Sequence, residues 1–471
     1  MREEVVKPNL SNFIKSLRDV GYNFNIAIAD ILDNSIDANA KNIKINIELK
    51  PQPKILILDN GFGMNEEELV EAMRLASKDP NKNRGGKALG KFGLGLKTAS
   101  FSQGKKLTVI SKKGNKINAR VWDLNHIEET NEWYLLTPQL DYDSTEFYNE
   151  LTLQESGTLV IIEEIDRYEE DEYENLIYSL RNHLSMTFHR FLDNKNSRRK
   201  VNISLNNNPL ESFDPFNSEN FATQDLGEEK LKVYDEDIKI KPYILPHHSK
   251  ISQQDYDKYG TEEGYTKTQG FYVYRANRLL IHGTWLGLHK ISDSHKLVRI
   301  MIDIPNNQDS YWGIDIKKST AKPVKAISKE LKRIIKNVTA KGSRPYTGRG
   351  KRITDKNIEK FWDLIPDGDN IKFGLKKKHP IYSELLNTFD EKQKNLFNLF
   401  VNGIESYLPL PLIQAHLNDN PHKIKQKNNE EISEAIQKLI DMGVSPELIE
   451  AIKKTELKGE MTDVREKNSE K

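Results

Sequence analysis

The amino-acid sequence predicts an α+β fold spread over about three domains. Two observations lead to that prediction. The chain has 471 residues, about three times the length of a typical domain. In its first 165 residues, short strand-like runs follow one another between helical segments, which favours helices packed on a largely antiparallel sheet over a doubly wound parallel sheet.

The N-terminal elements come in the order helix, strand, strand, helix. Residues 24–38 place apolar side chains at helical spacing. Residues 43–49 alternate isoleucine or leucine with polar neighbours, and residues 54–59 (KILILD) are mostly apolar, so we expect a half-buried strand and then a buried one. Asn65 precedes three glutamates, a typical helix start, because acidic side chains suit the positive end of the helix dipole. Further strands are expected at residues 107–111, 117–124 and 158–165.

Two more regions follow, and we place the domain boundaries at residues 1–165, 166–325 and 326–471. An acidic segment at residues 163–174 leads into the second region, which begins with a helix at residues 176–192. Strand-like runs then occur at residues 201–205, 270–281 and 298–304. The third region has a helical pattern, with breaks at residues 343–351 (SRPYTGRGK) and 366–370 (PDGDN).

The composition excludes several classes of protein. Lys and Arg number 71 against 70 Asp and Glu, so the overall charge of +1 cannot hold the chain on nucleic acid, and any such binding must be local. The absence of cysteine excludes disulfides, thiolate catalysis and cysteine-bound zinc. No apolar stretch reaches the length of a membrane span, and the first residues lack the apolar core of a secretion signal, so we expect a soluble, cytoplasmic protein without membrane contacts.

A cluster of glycines is the first candidate site. Five of the 26 glycines lie in residues 85–95, where an even distribution would place fewer than one. Such a segment suits close approach of the backbone to a ligand. The run GGKALGK begins like a P-loop, but Phe92 stands where a P-loop has Ser or Thr and no apolar strand enters the loop, so we exclude a P-loop. The run DNGFGM, residues 59–64, lacks the third glycine of a Rossmann fingerprint.

Two polar side chains on the first helix are the second candidate. Asp30 and Asn34 are four residues apart and therefore share a helix face. A carboxylate positions a water and a carboxamide oxygen holds Mg²⁺, which nucleotide hydrolysis requires. The alternative is an ordinary solvated helix face. Farther along, the glycine cluster leads into LKTAS, where N–H groups at a helix start would bind phosphate oxygens, and Thr158 offers a hydroxyl at a strand start.

Four segments in this order resemble the sequence boxes of the GHKL ATPases, the superfamily of gyrase, heat-shock chaperones, histidine kinases and MutL. They are IADILDNSIDANA, DNGFGM, GKFGLGLK and SGT. The sequence around the first box is most similar to those of bacterial MORC-like ATPases. The resemblance implies the superfamily's Bergerat ATP-binding α/β sandwich, with ATP and Mg²⁺ as ligands and an ATP lid at about residues 77–95.

The resemblance also implies roles by position. Asp30 stands where the superfamily has its water-activating glutamate, but its side chain is one methylene shorter, and Asp33 is the alternative, one residue off the Asn34 face. Asn34 corresponds to the Mg²⁺ ligand, Asp59 to the group that binds the adenine amino group, and Thr158 to a residue that supports adenine through water. The rest of the cofactor-binding set consists of Gly61, Gly63, which lets the base approach, Gly90, Gly93 and Gly95, which close the lid on the phosphates, and Lys97, which begins the helix behind them.

The second region resembles the S5-like transducer domain of the MutL, gyrase and MORC branch. The segment YWGIDIKKSTAKP, residues 311–323, is similar to the loop from which a lysine reaches the γ-phosphate. Lys318 is the predicted catalytic lysine and Lys317 the alternative, because one sequence does not determine the register of the loop. A cation there would distinguish ATP from ADP by contacting charge that only ATP carries. The alternative is a pair of solvated surface lysines.

A basic stretch follows the predicted transducer domain. Residues 322–352 contain eleven Lys or Arg and one acid, Glu330, which concentrates a net charge of +10 in a nearly neutral chain. Phosphate contact with nucleic acid explains such a stretch, and a solvated basic helix with a flexible arm is the alternative. Only one aromatic residue, Tyr346, lies within it, so contact with the DNA backbone is favoured over base stacking.

These observations predict an ATP-dependent molecular clamp. Two chains would dimerise when ATP orders the lid, hydrolyse ATP slowly with Mg²⁺ and act on DNA, in repair, chromosome upkeep or defence against foreign DNA such as that of viruses. A nuclease or helicase would be a partner in the same pathway. The alternatives are a protein chaperone of the heat-shock type and a nucleotide-sensing scaffold with negligible turnover.

Overall fold

The structure is a computed structural model of the chain. It describes residues 3–4, 9–19, 22–48, 50, 52–75, 77, 89, 95–139, 146–167, 173–193, 199–233, 236–314, 320–342, 360–367, 370–419, 429–444 and 446–453. The chain divides into two units. The first comprises Met1–Pro246 and Asp257–Gly342, and the second comprises His247–Tyr256 and Ser343–Lys471.

The first unit begins with a seven-stranded sheet and the helices that cover it. The helices are α1 (Leu10–Arg18), α2 (Phe24–Asp37), α3 (Glu66–Met73), α4 (Gly95–Gln103), α5 (Leu124–Thr130), α6 (Glu146–Leu153), α7 (Tyr173–Thr187) and α8 (His189–Leu192). The strands are β1 (Asn42–Glu48), β2 (Lys54–Asp59), β3 (Gly104–Lys113), β4 (Lys116–Asp123), β5 (Ser156–Ile165), β6 (Asn202–Leu205) and β7 (Asn208–Pro209). The strand order is β4-β3-β5-β2-β1-β6-β7, and only the β1–β6 pair is parallel.

This sheet is buried on both faces, which explains the apolar run in β2. Ile55 and Ile57 point into the larger core with α1, α2 and α4, whereas Leu56 and Leu58 point into a smaller core under α6. Alternate side chains of a strand point to opposite faces, so a strand between two cores is apolar at consecutive positions. The largely antiparallel α+β arrangement predicted from the sequence is therefore confirmed.

The first unit contains a second sheet. Its strands are β8 (Gln224–Asp225), β9 (Glu229–Val233), β10 (Glu236–Ile244), β11 (Gly270–Arg275), β12 (Arg278–Thr284) and β13 (Val298–Ile304), and its helices are α9 (Gln253–Gly260), α10 (Gly264–Lys267), α11 (Asp309–Trp312) and α12 (Lys325–Gly342). The strand order is β12-β11-β13-β10-β8, with β9 paired to β10. The apolar face of α12, including Ile327, Leu331 and Ile334, packs into the core of this sheet.

The second unit contains a strand hairpin and helices. The strands are β14 (Trp362–Asp367) and β15 (Asn370–Leu375), and the helices are α13 (Pro380–Thr388), α14 (Glu391–Ser406), α15 (Leu410–Asp419), α16 (Asn429–Asp441) and α17 (Pro446–Lys453). No single helix in the described part of the chain has the length and apolar content of a membrane span. The pair Glu391–Ser406 and Leu410–His416 reaches those values only when taken together, and it is bent by 43°.

Three elements differ from the sequence prediction. The strand expected at residues 201–205 pairs with β1 of the first sheet instead of opening the second one. The single strand expected at residues 270–281 is a tight hairpin, β11 and β12, whose two-residue turn contains no glycine. PDGDN, expected as a break between helices, lies within the β14–β15 hairpin. The β6 strand pairs with a distant partner, and the β11–β12 turn begins with alanine, so a local pattern reveals neither. The Asp-Gly pair of PDGDN is by contrast a typical hairpin signal, which the helical interpretation of this region overlooks.

Candidate functional site

Asp30 lies at the middle of α2, which is buried along most of its length. Asn23 caps the helix by accepting a hydrogen bond from the Ile26 N–H, and the apolar side chains of α2 pack under the first sheet. The Asp30 carboxylate is only 4% exposed. The Tyr22 hydroxyl donates to its Oδ2 at 3.1 Å, and Arg278 Nη2 donates to its Oδ1 at 3.1 Å. Asp30 is therefore a buried carboxylate held from two sides.

The Asp30 carboxylate also lies beside the start of α4, where the sequence predicts phosphate binding. A β-carbon built on Gly95 would lie 3.9 Å from Asp30 Oδ2. Asn34, one turn farther along α2, is exposed, and its amide nitrogen donates to the Asp30 carbonyl at 3.2 Å. That bond leaves the carboxamide oxygen of Asn34 as the atom for a cation. The structure thus brings together Asp30, Asn34 and Gly95, as the sequence predicts.

Asp59 forms a second polar centre at the end of β2. Its Oδ2 accepts a hydrogen bond from Ser35 Oγ at 2.7 Å, and its Oδ1 accepts one from the Gly61 N–H at 2.8 Å. Burial raises the pKa of the Asp59 carboxyl, although these hydrogen bonds act in the opposite direction. The Thr158 N–H also donates to this carboxylate. Because the two carboxylate oxygens have about four acceptor sites between them, the group can still accept from an amino group of a ligand.

Thr158 lies opposite Asp59 in the neighbouring strand β5. Its hydroxyl is 2.9 Å from Ser111 Oγ, and Ser111 Oγ in turn accepts from the Met64 N–H at 2.9 Å. Neither Ser35 nor Ser111 is predicted from the sequence, because no motif or spacing distinguishes either serine from the other polar residues of its element. Asp59, Thr158 and the two serines form one polar cluster at adjacent strands.

Two glycines after Asp59 allow the backbone to approach its neighbours closely. Gly63 has φ of +63°, and a β-carbon on it would lie 1.8 Å from the Lys112 carbonyl oxygen. A β-carbon on Gly61 would lie 2.7 Å from Ala38 Cβ. Any larger residue at either position would displace backbone beside the Asp59 cluster. This glycine-lined backbone next to a buried acceptor suits a flat polar ligand such as adenine.

Comparison with known proteins agrees with this geometry. Residues 22–158 match the family model described as histidine kinase-, DNA gyrase B-, and HSP90-like ATPase. That range contains the Asp30 and Asp59 clusters and ends at Thr158. Residues 22–158 are therefore similar to the ATP-binding domain of the GHKL ATPases, with proteins named MORC ATPases among the relatives.

Three relatives each match between 20% and 36% of the chain. The protein named ATPase morc-1 of Caenorhabditis elegans is 28% identical over 136 residues, which is 28% of this chain and 16% of that protein. Chaperone protein HtpG of Rickettsia canadensis is 26% identical over 182 residues, 36% of this chain and 27% of the chaperone. ATPase MORC2B of Mus musculus is 29% identical over 96 residues, 20% of this chain and 9% of that protein. The chain thus spans less than a third of the length of these relatives.

The structure describes only a few residues of the predicted lid segment, residues 77–95. Gly90 and Gly93 lie outside the described residues. Leu89 is fully buried, its N–H donates to both carboxylate oxygens of Asp37 at 3.0 Å, and its carbonyl accepts from Arg275. Lys97, at the start of α4, is buried, and its ammonium donates to the Ala72 carbonyl at 2.8 Å. The described partner of Lys97 is therefore the end of α3.

The GHKL site also receives side chains from the second sheet, which the sequence does not predict. Arg278 in β12 donates from Nε to Asp33 Oδ1 at 2.8 Å and from Nη2 to Asp30. Arg275 in β11 reaches Leu89. The only local signal is the pair of arginines in YRANRLL, and their targets lie more than 180 residues earlier in the chain. Asp33, the alternative base, is 1% exposed and held by Arg278.

Lys317 and Lys318, the candidates for γ-phosphate contact, lie outside the described residues. So do Arg344, Arg349, Lys351 and Arg352 of the basic stretch. Within the described part, Lys325, Lys329, Lys332 and Lys336 are exposed on α12, at spacings that place them on one helix face. Arg333 instead pairs with Glu330 at 2.9 Å and with Glu229. The basic stretch therefore begins as a lysine face on a helix whose other side is buried in the second sheet.

No group of three or more His, Asp or Glu that would hold a metal ion occurs among the described residues. Mg²⁺ prefers few protein ligands and is often bound together with substrate phosphates. A single oxygen ligand from Asn34 fits that mode of binding. The donor set is thus compatible with an ion that enters with a nucleotide.

Proposed function

We propose that this chain binds ATP with Mg²⁺ in its GHKL domain and hydrolyses it slowly. The observation that carries the proposal is the Asp30 carboxylate, which is buried, fixed by two donors and directed to the start of α4 beside Gly95. A helix N-terminus favours negatively charged oxygens, and a fixed carboxylate nearby orients a water for attack on phosphorus.

In this proposal each cluster has a separate task. Asp59, with Thr158 and the two serines, accepts from the adenine amino group and excludes bulk water from it. Asn34 would hold Mg²⁺, which when bound neutralises phosphate charge and polarises the transferred phosphoryl group. Asp30 accepts a hydrogen bond from the attacking water and receives its proton. Gly90, Gly93 and Gly95 would bring backbone N–H groups to the phosphates.

Two substitutions at Asp30 test hydrolysis. Asp30→Asn removes the proton acceptor at constant shape, so we expect turnover to fall by at least about 100-fold, within the range of general acid–base catalysis. Asp30→Glu restores the usual length of the superfamily's side chain and should retain or raise turnover. Asp33→Asn is the matched control for a buried carboxylate on the same helix. Measured ATP binding must persist in all three variants.

If Asp30→Asn hydrolyses ATP as fast as the unmodified chain, Asp30 is not the base. If the unmodified chain binds ATP without turnover under any condition, the alternative of a nucleotide-sensing scaffold replaces the proposal. If Asp33→Asn abolishes turnover while Asp30→Asn does not, the base is Asp33.

We also propose that ATP drives two chains together as a clamp. The proposal is supported by the entry of second-sheet side chains into the GHKL site, because a ligand shifts a conformational equilibrium only through contacts that differ between the states. Lys318, or Lys317 in its place, would add a contact that ADP cannot make. Sedimentation with a non-hydrolysable ATP analogue and with ADP tests this: we expect a dimer with the analogue alone. A chain that stays monomeric at micromolar concentration with both ligands contradicts the clamp.

DNA is the proposed client, through Lys322–Arg352 in the sequence and the lysine face of α12 in particular. Four lysines along one helix face suit a phosphate backbone, and no ion pair to any of the four occurs within the described part of the chain. Lys329, Lys332 and Lys336 changed together to Gln should weaken binding to any DNA sequence. The slope of the logarithm of affinity against the logarithm of salt concentration should decrease by up to about 0.9 for each phosphate that the variant no longer neutralises.

The matched control changes three exposed lysines of the second unit, Lys377, Lys378 and Lys392, to Gln. It alters the net charge of the chain equally and should leave DNA affinity unchanged. Equal weakening in both variants indicates a bulk-charge effect, and unchanged affinity in both variants contradicts DNA binding by α12. Repair, chromosome upkeep, antiviral defence and a partner nuclease or helicase are proposals that follow from DNA as the client.

A protein chaperone is the second candidate function, favoured by two observations. The similarity to HtpG covers 182 residues of this chain. In addition, α14 exposes large apolar side chains, among them Leu399 at 70% and Phe400 at 67%. Exposed apolar patches are typical of surfaces that bind other proteins. Suppression of aggregation of an unfolded test protein, abolished by Leu399→Ser with Phe400→Ser, supports this candidate over the DNA clamp.

A further inference from the structure

The turn between β11 and β12 inserts into the N-terminal domain. Arg275 and Arg278 are directly paired at the ends of the two strands, and Ala276 and Asn277 form the turn with φ of +49° and +73°. These angles are those of a tight type I′ hairpin turn, which usually contains glycine or asparagine. Ala276 packs against the core under the first sheet. The hairpin tip is thus seated in the GHKL domain although its strands belong to the second sheet.

Arg278 connects two carboxylates of α2. Its Nε donates to Asp33 Oδ1 at 2.8 Å and its Nη2 donates to Asp30 Oδ1 at 3.1 Å. Arg278, Asp30 and Asp33 are all less than 5% exposed. Two carboxylates one helical turn apart repel each other strongly when water is excluded, so the guanidinium between them decides where each carboxylate lies.

The Asp30 carboxylate is held at both oxygens by different elements. Arg278 holds Oδ1 and Tyr22 holds Oδ2, the oxygen 3.9 Å from the β-carbon position of Gly95. Two separate donors fix the rotation of the carboxylate plane, which a single donor does not. The short side chain of Asp30 is thereby held in one orientation, which matters because misplacement by about 1 Å can cost about 100-fold in rate.

A buried histidine lies near Arg278. The pKa of His183 is lowered to about 3 by burial and then by its electrostatic interactions with His282 and Arg278. It is therefore neutral at physiological pH and adds no second cation beside the guanidinium. The Arg278 guanidinium also lies 5.8 Å from the Phe188 ring centre. Planar stacking and a two-pronged donor set are properties of arginine that lysine lacks.

We propose that Arg278 is a positioning residue for ATP hydrolysis, which orients the Asp30 carboxylate from the second sheet and so makes turnover depend on how the β11–β12 hairpin is seated. This inference rests on the hydrolysis proposed above. It assigns Arg278 no contact with the nucleotide. Because Arg275 of the same hairpin holds Leu89, the hairpin contacts both the base and the lid segment.

Kinetics of Arg278→Ala and Arg278→Lys test the assignment. The Kd for a fluorescent ATP analogue should change by less than about threefold in both variants, because Arg278 acts on Asp30 and Asp33 and not on the nucleotide. In Arg278→Ala, kcat should fall by at least about tenfold, since the carboxylate loses the donor at Oδ1 and with it part of its fixed orientation. Arg278→Lys should recover part of that activity, because lysine supplies the charge but cannot reach both carboxylates with a planar fork.

Arg120→Ala is the matched control. Arg120 is a buried arginine of β4 that donates from Nη2 to Glu66 Oε1 at 2.6 Å and from Nη1 to the Ala119 carbonyl at 2.8 Å, and neither bond reaches Asp30, Leu89 or the β11–β12 hairpin. Its removal should lower the melting temperature while leaving kcat of the folded protein within about twofold.

The outcomes separate the two proposals. An unmodified chain that turns over ATP, with kcat unchanged in Arg278→Ala, overturns the role of Arg278 and leaves hydrolysis standing. A parallel fall of nucleotide affinity, kcat and melting temperature in Arg278→Ala also overturns it, because the residue is then structural. An equal fall of kcat in Arg120→Ala has the same meaning. An unmodified chain without turnover overturns both proposals.

Discussion

Ser35 Oγ donates a 2.7 Å hydrogen bond to Asp59 Oδ2 and so joins the helix that carries Asp30 to the strand that carries Asp59. Both residues are 4% exposed. Asp59 is also held by the N–H of Gly61, two residues later. The proposed adenine contact and the proposed water-positioning carboxylate therefore lie on two elements that are coupled by one buried bond.

Asp59→Asn should abolish most ATP binding without unfolding the domain. The amide keeps the size of the side chain but replaces one acceptor oxygen with a donor, which faces the adenine amino group or Ser35. Losing a hydrogen bond to a charged group costs about 1.5–3 kcal/mol, so the Kd for ATP should rise at least about tenfold. Isothermal titration measures this, and Ser35→Ala should give a smaller increase. Unchanged affinity in Asp59→Asn would mean that Asp59 does not bind the base.

The raised pKa of Asp59 predicts opposite effects of acid on binding and on stability. The folded protein binds a proton at Asp59 at a pH where the unfolded chain, with its ordinary value of 3.8, does not. The free energy of unfolding therefore gains a contribution from Asp59 as the pH falls through that window, whereas ATP affinity falls because the ionised acceptor is neutralised.

Comparison of the unmodified chain with Asp59→Asn isolates this contribution from those of other carboxyls. Asparagine avoids the cost of a buried charge near neutral pH, so Asp59→Asn should be the more stable of the two or close to it at about pH 7. The difference between the two free energies of unfolding should shift in favour of the unmodified chain as the pH falls to about 4. Urea unfolding at several pH values measures the trend, and a difference that grows in the other direction contradicts the raised pKa.

Gly63→Ala should disrupt the base-binding backbone far more than Gly114→Ala does. Both glycines have positive φ, +63° and +60°, so the left-handed conformation of each alanine should destabilise the folded state by about 1–2 kcal/mol. Only at Gly63 does the new β-carbon meet another atom, the Lys112 carbonyl oxygen at 1.8 Å, whereas the space around Gly114 is open. Thermal melting and ATP titration of the two variants separate conformational strain from steric conflict. Equal effects at both positions would remove the argument for close approach at Gly63.

Much of the N-terminal domain is predictable from local pattern. The helix expected at residues 24–38 is α2, and the Asn65 helix start is present with a capping box to Glu68. Asp30 and Asn34 share a face of α2, as their spacing requires. These features depend on residues within one or two turns of each other, which is the range over which periodicity and capping rules apply.

The contacts that complete the site are not predictable in the same way. The partners of Arg278 lie 245 and 248 residues earlier in the chain, and no local rule brings a hairpin tip to a helix so distant. The turn itself is Ala276–Asn277, and alanine is unusual at positive φ, so the local pattern predicts one continuous strand. Parallel pairing of β6 with β1 escapes prediction for the same reason, because long connections set it.

Arg275→Ala should shorten the time for which nucleotide stays bound. The Arg275 side chain donates to the Leu89 carbonyl, while Asp37 accepts the Leu89 N–H, so one residue of the predicted lid segment is held from both directions. Loss of the hydrogen bond from Arg275 should favour states in which Leu89, a residue of the predicted lid segment at residues 77–95, is displaced. The dissociation rate should respond most, because most differences in affinity between related complexes lie in the dissociation rate. We expect the dissociation rate of a fluorescent ATP analogue, measured by chase with unlabelled ATP, to rise at least about fivefold. Asp37→Ala should act in the same direction, and Arg120→Ala should not. If Arg275→Ala instead lowers kcat and leaves the dissociation rate unchanged, the hairpin acts on the base alone, and the link between the second sheet and the lid is absent.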